Sequence, residues 1–292
     1  MRIDLHTHSR ASDGTQTPAD LMTAAARAGL DVIALTDHDT AEGWGEASAA
    51  ARELGITLVP GMEISTEFEG RAVHLLAYLP DPGYPPLSAT LATVLDARNA
   101  RVPAIVERLT AHGIEITVED VVAHADGAAA VGRPHVADAL VALGVVGHRD
   151  QAFAQWLSPG RPGHVHRFSA GLREMIALVE QAGGVSVLAH VWGRHLPETL
   201  DEREIAALAE LGLGGLEVDH QDHDDATRGR LRALAVDLDL VITGSSDHHG
   251  LGKTDHELGC NLTEPEQYQR LLELAADAAA RSGRRTPEVV GR

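Results

Sequence analysis

The sequence has one cysteine and no long apolar run, and both absences narrow the class of protein. Cys260 alone cannot build a disulfide framework, and it is expected to be a small buried residue. No segment approaches the length of a membrane span, and the first residues lack the charged, apolar and small-residue order of a signal peptide. We therefore expect a soluble protein of the cytoplasm.

Basic residues are also few. Lys and Arg number 24 against 43 Asp and Glu, which gives a formal net charge of −19. Such a chain is a poor partner for long duplex nucleic acid or for an anionic membrane. A small phosphorylated substrate is compatible with this charge, provided that metal ions and a few arginines reverse it locally.

Aromatic side chains are scarce, with three each of Phe, Tyr and Trp, whereas there are 17 histidines. The first two histidines, His6 and His8, would point to the same side of a strand over residues 2–8. Two neighbouring imidazoles are half of a metal site, so the positions of the other candidate ligands become the main question.

Short β-like runs alternate with helix-like runs that end in glycine, which is typical of parallel βαβ units. A chain of 292 residues suits one large α/β domain with or without an insertion. After the first strand, further strands are predicted at Val32–Thr36, Ile56–Val59, Val73–Tyr78, Val185–Ala189, Gly215–Val218 and Leu240–Thr243. Helices are predicted at 18–28, 41–54, 169–182, 198–211, 223–236 and 264–282, and the polar tail beyond them is predicted to be frayed.

The alternation stops between Pro80 and about residue 166. A proline-rich linker at 81–86 precedes helical patterns at 87–112, 117–125, 134–143 and 149–157, with little strand character. The sequence therefore predicts a barrel-like α/β domain over residues 1–79 and 167–292. Residues 80–166 form a helical insertion, which is expected to bind or cover the substrate.

Polar side chains collect at the carboxyl ends of the predicted strands, where parallel α/β folds bind ligands. The candidate metal ligands are His6, His8, Asp13, His38, Glu63, His74, His190, Asp247 and His249. Imidazole and carboxylate suit Mn²⁺, Zn²⁺ or Fe²⁺, and the absence of nearby thiolates argues against a structural zinc finger. Because nine ligands exceed what one ion can use with a position left for water, two or three ions are predicted.

Some of these positions have a structural alternative. A histidine within an apolar strand, such as His74, is more often a hydrogen-bonded core residue. Asp37 and Asp39 are interpreted as supporting groups and not as ligands. Between His248 and His249, spacing favours His249, because residues two apart share a face with the preceding aspartate if the chain is extended.

The acidic run 219–225 is interpreted as a solvated loop or helix start, with Glu217 and His220 left open as pocket residues. The remaining histidines are interpreted as structural or surface residues. They are His112, His124, His148, His164, His166, His195 and His256.

These motifs, in this order, resemble the PHP (polymerase and histidinol phosphatase) superfamily of metal-dependent phosphoesterases. The likeness is carried by His6-Thr7-His8, Ser12-Asp13-Gly14, Thr36-Asp37-His38-Asp39, Gly61-Met62-Glu63, His74, Ala189-His190 and Ser246-Asp247-His248-His249. Within the superfamily the chain is most similar to the TrpH/YciV-type group, from residue 1 to about 280. The resemblance implies a distorted (β/α)₇ barrel.

The resemblance also implies a trinuclear metal site. It assigns one ion to His6, His8, Glu63 and Asp247, a second to Glu63, His74 and His190, and a third to Asp13, His38 and His249. A hydroxide shared between ions would attack phosphorus in line, with Asp13, Glu63, Asp247 and His249 as catalytic residues. Mn²⁺ is the first expectation for the ions, and Zn²⁺ or Fe²⁺ is the alternative.

The resemblance gives the helical insertion a role as well. In related enzymes an arginine and a histidine of this segment hold the phosphates of the substrate, and the matching positions are Arg133 and His135. Arg161 follows in a turn rich in glycine and proline, and a guanidinium can grip a phosphate through two hydrogen bonds. The alternative is that Arg133 and Arg161 are ordinary surface residues.

The sequence thus predicts a metal-dependent phosphohydrolase that acts on a small nucleotide-like phosphomonoester, with a 3′,5′-nucleoside bisphosphate such as pAp as the first expectation. A second hypothesis within the same chemistry is a 5′→3′ exonuclease on short RNA. A hypothesis of another class is a non-catalytic PHP domain kept for structure or partner binding, and the complete ligand set argues against it.

Overall fold

The computed structural model describes residues 1–193 and 200–291. His195 and the first two residues of the helix predicted at 198–211 lie outside this range. Among the described helices, none is both long and apolar enough to cross a membrane.

Seven strands form one continuous sheet. The strands are β1 (Ile3–Asp4), β2 (Val32–Leu35), β3 (Thr57–Phe68), β4 (Arg71–Tyr78), β6 (Val185–Leu188), β7 (Gly215–Asp219) and β8 (Val241–Gly244), and they are neighbours in that order. A short strand, β5 (Ala170–Gly171), pairs with β3 outside this path. After β8 the chain meets the end of β1, where the His8 N–H donates to the His248 carbonyl at 2.9 Å. The sheet is therefore a nearly closed barrel, and the predicted α/β barrel is confirmed.

The distortion of the barrel lies in one hairpin. The strand predicted to end at Val59 continues to Phe68, and β4 returns antiparallel to both β3 and β6. Two residues with positive φ, Glu69 and Gly70, make the tight turn that a twisted two-residue hairpin needs. As a result Glu63 lies inside a strand and not beyond its end. His74 pairs with Ser65, at the same edge as the carboxyl ends of the parallel strands.

Within the described residues, ten α-helices surround and extend the barrel. Around the barrel are α1 (Pro18–Arg27), α2 (Trp44–Leu54), α7 (Leu172–Gln181), α8 (Glu202–Glu210), α9 (Asp225–Asp237) and α10 (Pro265–Ser282). The segment predicted as an insertion contains α3 (Pro85–Ala111), α4 (Val118–Ala125), α5 (Arg133–Ala142) and α6 (Arg149–Ala152), and α6 continues as a π-helical turn over Phe153–Leu157. The first helix begins as its sequence predicts, with the Thr17 side chain accepting from the Asp20 N–H and Pro18 at the first helical position.

The core has three apolar clusters. Alternate residues of the short strands point inward, as Val32 and Ala34 do, and pack in the barrel interior. Their neighbours, such as Ile33 and Leu35, pack outward against the surrounding helices. A third cluster lies wholly between residues 102 and 157 and belongs to the helices of the predicted insertion.

The domain boundary at residue 80 remains a prediction, and one helix bears on it. In α3, Leu87, Leu91 and Val94 pack with the barrel and its helices, whereas Val102 and Ile105 pack in the third cluster. Helix α3 therefore packs with both the barrel and the helices of the predicted insertion.

The tail predicted to be frayed is instead paired. The Leu58 N–H donates to the Val290 carbonyl at 2.7 Å, and the Val290 N–H donates back to Leu58 at 2.9 Å. Val290 is buried and joins the outer core. The composition of the tail predicts a solvated end because only Val289 and Val290 interrupt a run of mostly polar residues.

Candidate metal centre

All nine predicted ligands meet at the carboxyl edge of the barrel. Within each of three groups, the candidate ligand atoms lie within 4.8 Å of one another. The groups are His6, His8 and Asp247; Glu63, His74 and His190; and His8, Asp13, His38 and His249. The structure therefore brings together the residues that the sequence proposed, with His8 shared between two groups.

In the first group, two imidazole nitrogens face each other. The Nδ1–H of His6 is donated to Glu217 Oε1 at 3.0 Å, which leaves a lone pair on His6 Nε2, only 3.0 Å from His8 Nε2. Asp247 Oδ1 is 3.3 Å from His8 Nε2, and this buried oxygen has no hydrogen-bond partner. Electron-rich atoms that converge in this way need a cation between them, so the group fits a metal ion.

Glu63 joins the first group to the second. Its Oε1 lies 2.8 Å from His74 Nδ1 and 3.1 Å from His190 Nε2, while its Oε2 lies 3.2 Å from His8 Nε2. One carboxylate thus offers an oxygen to each of two neighbouring sites, which is the arrangement that a bridging ligand requires.

The third group depends on the loop after β1. Asp13 lies 3.3 Å from His249 Nε2 and 3.6 Å from His38 Nε2. The loop folds tightly over the strand, since a Cβ at Gly14 would lie 2.4 Å from the His8 carbonyl oxygen. Asp37 fastens the loop by accepting hydrogen bonds from Ser9 and Ser12, as expected of a supporting residue.

His249 lies in the cluster and His248 does not. Both ring nitrogens of His248 are engaged elsewhere, with the His256 carbonyl and Gln16 Oε1. The prediction of His249 assumed an extended chain, but Asp247 has a φ of +51° and the chain is not extended there. The left-handed residue turns the chain so that His249 reaches Asp13.

Asp247 is held from behind by two donors. The Asp222 N–H donates to His220 Nδ1, so His220 carries its proton on Nε2 and donates it to Asp247 Oδ2 at 3.3 Å. Lys253 contacts the same oxygen. Only Oδ1 is left to face the ligand groups. His220 is buried, which agrees with the alternative left open for it, whereas the solvated interpretation of the 219–225 run is wrong at His223, which is also buried.

The protonation states follow from close packing of carboxylates and imidazoles. Burial lowers the pKa of His8, but the close carboxylates of Asp247, Glu63 and Asp13 outweigh it and raise the pKa to about 9. The pKa of His6 is also raised, because Glu217, Glu63 and Asp247 outweigh its burial. Protons on these imidazoles occupy positions that a metal ion would take.

The ligand groups open into a cavity of about 430 Å³ between the barrel and the helices of the predicted insertion. Arg133 lines this cavity. His135 lines a neighbouring cavity of about 480 Å³, and its Nδ1 accepts from the Gly132 N–H. Arg161 is exposed and is not among the residues that line either cavity. Of the three predicted phosphate-binding residues, the structure places one beside the metal ligands.

Other basic residues, which the sequence analysis did not predict, also line the cavity. They are Arg98, Arg101, Arg149, Arg167 and Lys253. Arg98 pairs with Asp39, and Arg149 pairs with Asp138 and donates to the Asp13 carbonyl at 3.0 Å. The sequence contains a sign of two of them, Arg98 and Arg101. Residues three apart share a helix face, and these two arginines interrupt the apolar face of α3.

Comparisons with known proteins agree with this geometry. Residues 4–183 match the family described as PHP domain. A 3′,5′-nucleoside bisphosphate phosphatase of Chromobacterium violaceum is 33% identical over 88% of this chain and 90% of its own length. A 5′-3′ exoribonuclease of Haemophilus influenzae is 34% identical over 85% of this chain and 90% of its own length. A solved structure from Bifidobacterium adolescentis, classed as a metal-dependent phosphoesterase, superimposes with a TM-score of 0.90 at 40% identity, covering 93% of this chain and 96% of that one.

Proposed function

The chain belongs to the PHP domain family and is a metal-dependent phosphohydrolase, and on that basis we propose that it removes a phosphate from a small nucleoside bisphosphate. Three groups consist of the predicted ligands, and we assign one divalent ion to each, with Mn²⁺ as the first expectation. Ions bound there supply an acidified water molecule and neutralise the charge of the phosphate. Residence in the cytoplasm stays a prediction of the sequence.

The chain's own residues prepare these sites. Glu217 fixes the tautomer of His6, and His220 with Lys253 turns one oxygen of Asp247 towards the ligands. Such supporting contacts raise affinity because the ligands need no reorganisation when the ion arrives.

The observation that carries the substrate assignment is a pair of cavity arginines that form no ion pair in the described part of the chain. Within the described residues, no carboxylate oxygen lies within ion-pair distance of Arg101 or Arg167. Arg101 is 8% exposed, and its buried Nε lacks a hydrogen-bond partner. Burial, together with the charges of Arg133, Arg167 and Arg98, lowers the pKa of Arg101 to about 8.

A buried cation surrounded by cations favours an anion. The protein as a whole carries a net charge of −19, so this local excess of positive charge is a specific feature of the cavity. One phosphate of the substrate would meet the ligand groups, and a second would meet the arginines. This arrangement supports a substrate with two separated phosphates, as the name of the C. violaceum relative describes for that protein.

The test is a phosphate-release assay on the purified protein loaded with Mn²⁺, using pAp and the monophosphates 3′-AMP and 5′-AMP. We expect release of one phosphate from pAp with a kcat/KM far above that for either monophosphate. Equal rates on all three compounds would contradict the role given to the arginines. Absence of turnover with every metal and substrate would contradict the proposal as a whole.

A second candidate is stepwise hydrolysis of short RNA from its 5′ end. It is favoured by the 34% identity to the H. influenzae exoribonuclease and by the neighbouring cavity, which shares Arg149 and Gly252 with the first. A 5′-phosphorylated pentaribonucleotide distinguishes the two, because progressive release of mononucleotides at a rate above that on pAp would favour the exonuclease.

A further inference from the structure

The cavity beside the metal ligands is lined by one phenyl ring, on the side that the predicted insertion forms. Phe153 is the only Phe, Tyr or Trp among the described residues that line the cavity, in a chain with only three phenylalanines. Its side chain is partly buried against the third apolar cluster, and the rest lines the cavity beside Pro134 and Ala154. The Arg133 guanidinium lies 5.6 Å from the ring centroid.

The backbone at this residue is unusual. Helix α6 ends at Ala152, and the chain continues as a π-helical turn in which the Ser158 N–H donates to the Phe153 carbonyl at 3.0 Å. In an α-helix, residues five apart differ in direction by about 140°. The wider turn lets Ala152 and Leu157 both reach the third cluster, where both are fully buried.

The extra residue in this turn leaves Phe153 at the cavity. π-Helical turns are rare, and they occur frequently at functional sites. Packing alone does not account for the placement, since the turn buries Ala152 and Leu157 while Phe153 stays at the wall of the site. The ring is also held in place, because part of it packs against the apolar cluster and the Arg133 guanidinium lies 5.6 Å from its centroid.

We propose that Phe153 is the platform for the base of the substrate and makes the enzyme selective for nucleotides over phosphorylated sugars without a base. This inference rests on the proposed function. A purine or pyrimidine is planar and can stack on a phenyl ring, and a guanidinium beside the ring extends the same stacking surface. Stacking needs no hydrogen bond to the base, so the platform accepts all four bases.

The test compares two substrates that differ only in the base: pAp, and the abasic analogue in which 1-deoxyribose carries the same two phosphates. Phe153→Leu keeps the apolar packing but removes the ring face, and Phe153→Tyr keeps the ring. Phe168→Leu is the matched control, because Phe168 is 52% exposed and does not line the cavity.

We expect Phe153→Leu to raise KM for pAp by roughly five- to 100-fold, with the abasic analogue changed less than twofold. Phe168→Leu should behave as the unchanged protein, and Phe153→Tyr, which keeps the ring, should keep a lower KM for pAp than for the abasic analogue. The inference is overturned if the unchanged protein has the same KM for both substrates, or if Phe153→Leu affects both substrates equally. A protein that hydrolyses neither substrate would instead overturn the proposed function, which makes the two failures distinguishable.

Discussion

Metal binding to the metal-free protein should release protons and should strengthen steeply between pH 7 and pH 9. The carboxylates around His8 raise its pKa to about 9, and the pKa of His6 is raised in the same way. An imidazole of pKa about 9 is about 99% protonated at pH 7, so the proton weakens apparent metal affinity by about 100-fold, or about 3 kcal/mol. Protonated His6 adds to this effect.

The same shift has a consequence for folding stability. A raised pKa means that the charged His8 stabilises the metal-free fold fully below its unfolded pKa near 6.5, and that this contribution is lost as the pH rises through about 9. The melting temperature of the metal-free protein should therefore fall between pH 6.5 and pH 9. With the ions bound, this dependence should disappear.

The assay is calorimetric titration of Mn²⁺ into chelator-treated protein at pH 7.0, 7.75 and 8.5, in two buffers of different ionisation enthalpy. We expect at least one proton released per protein and a tenfold gain in affinity per pH unit for each proton. His8→Gln should release fewer protons, while His148→Gln, on the surface, should behave as the unchanged protein. An affinity that does not vary with pH, without proton release, would refute the reasoning.

Three further outcomes are expected. Glu217→Gln should weaken metal affinity roughly 10- to 100-fold in equilibrium dialysis, because it loses the carboxylate that fixes the His6 tautomer; an unchanged affinity would remove that role. Asp13→Ala should lower the metal content by one ion per chain in elemental analysis, and loss of every ion would contradict separate sites. Arg101→Met should raise KM for pAp at least tenfold with little effect on 5′-AMP, whereas Arg161→Met should change neither, and the reverse pattern would reinstate the exposed residue as the phosphate ligand.

The ligands were predictable from sequence because parallel strands deliver their carboxyl ends to one edge. His38 and His190 each follow a short apolar strand, so strand prediction alone located them. His74 could not be found in this way, since it lies early in a strand that runs in the opposite direction. The antiparallel return of β4 depends on the turn at residues 69–70, and a local pattern does not reveal which strands will pair.

The cavity was less predictable than the ligands. Arg133 was identified by resemblance, but Arg161 is exposed, and Arg101 and Arg167 line the wall in its place. Arginines on helices can serve as surface groups or as ligands of a substrate, and only the packing of one helix against another decides between these roles. The π-helical turn that presents Phe153 has no sequence signature of its own.

Helix α3 restricts how the substrate can enter. One end of this helix packs with the barrel and the other with the third cluster. A single helix of 27 residues therefore connects the two parts of the protein that enclose the cavity. If the predicted insertion opened as a lid, helix α3 would have to bend. Bending would cost the least free energy at Pro103, because Pro103 has no N–H to donate to the Asn99 carbonyl. We therefore expect side chains at the mouth of the cavity, and not bending of α3, to control substrate entry, so that Pro103→Ala leaves kcat for pAp unaltered in the phosphate-release assay.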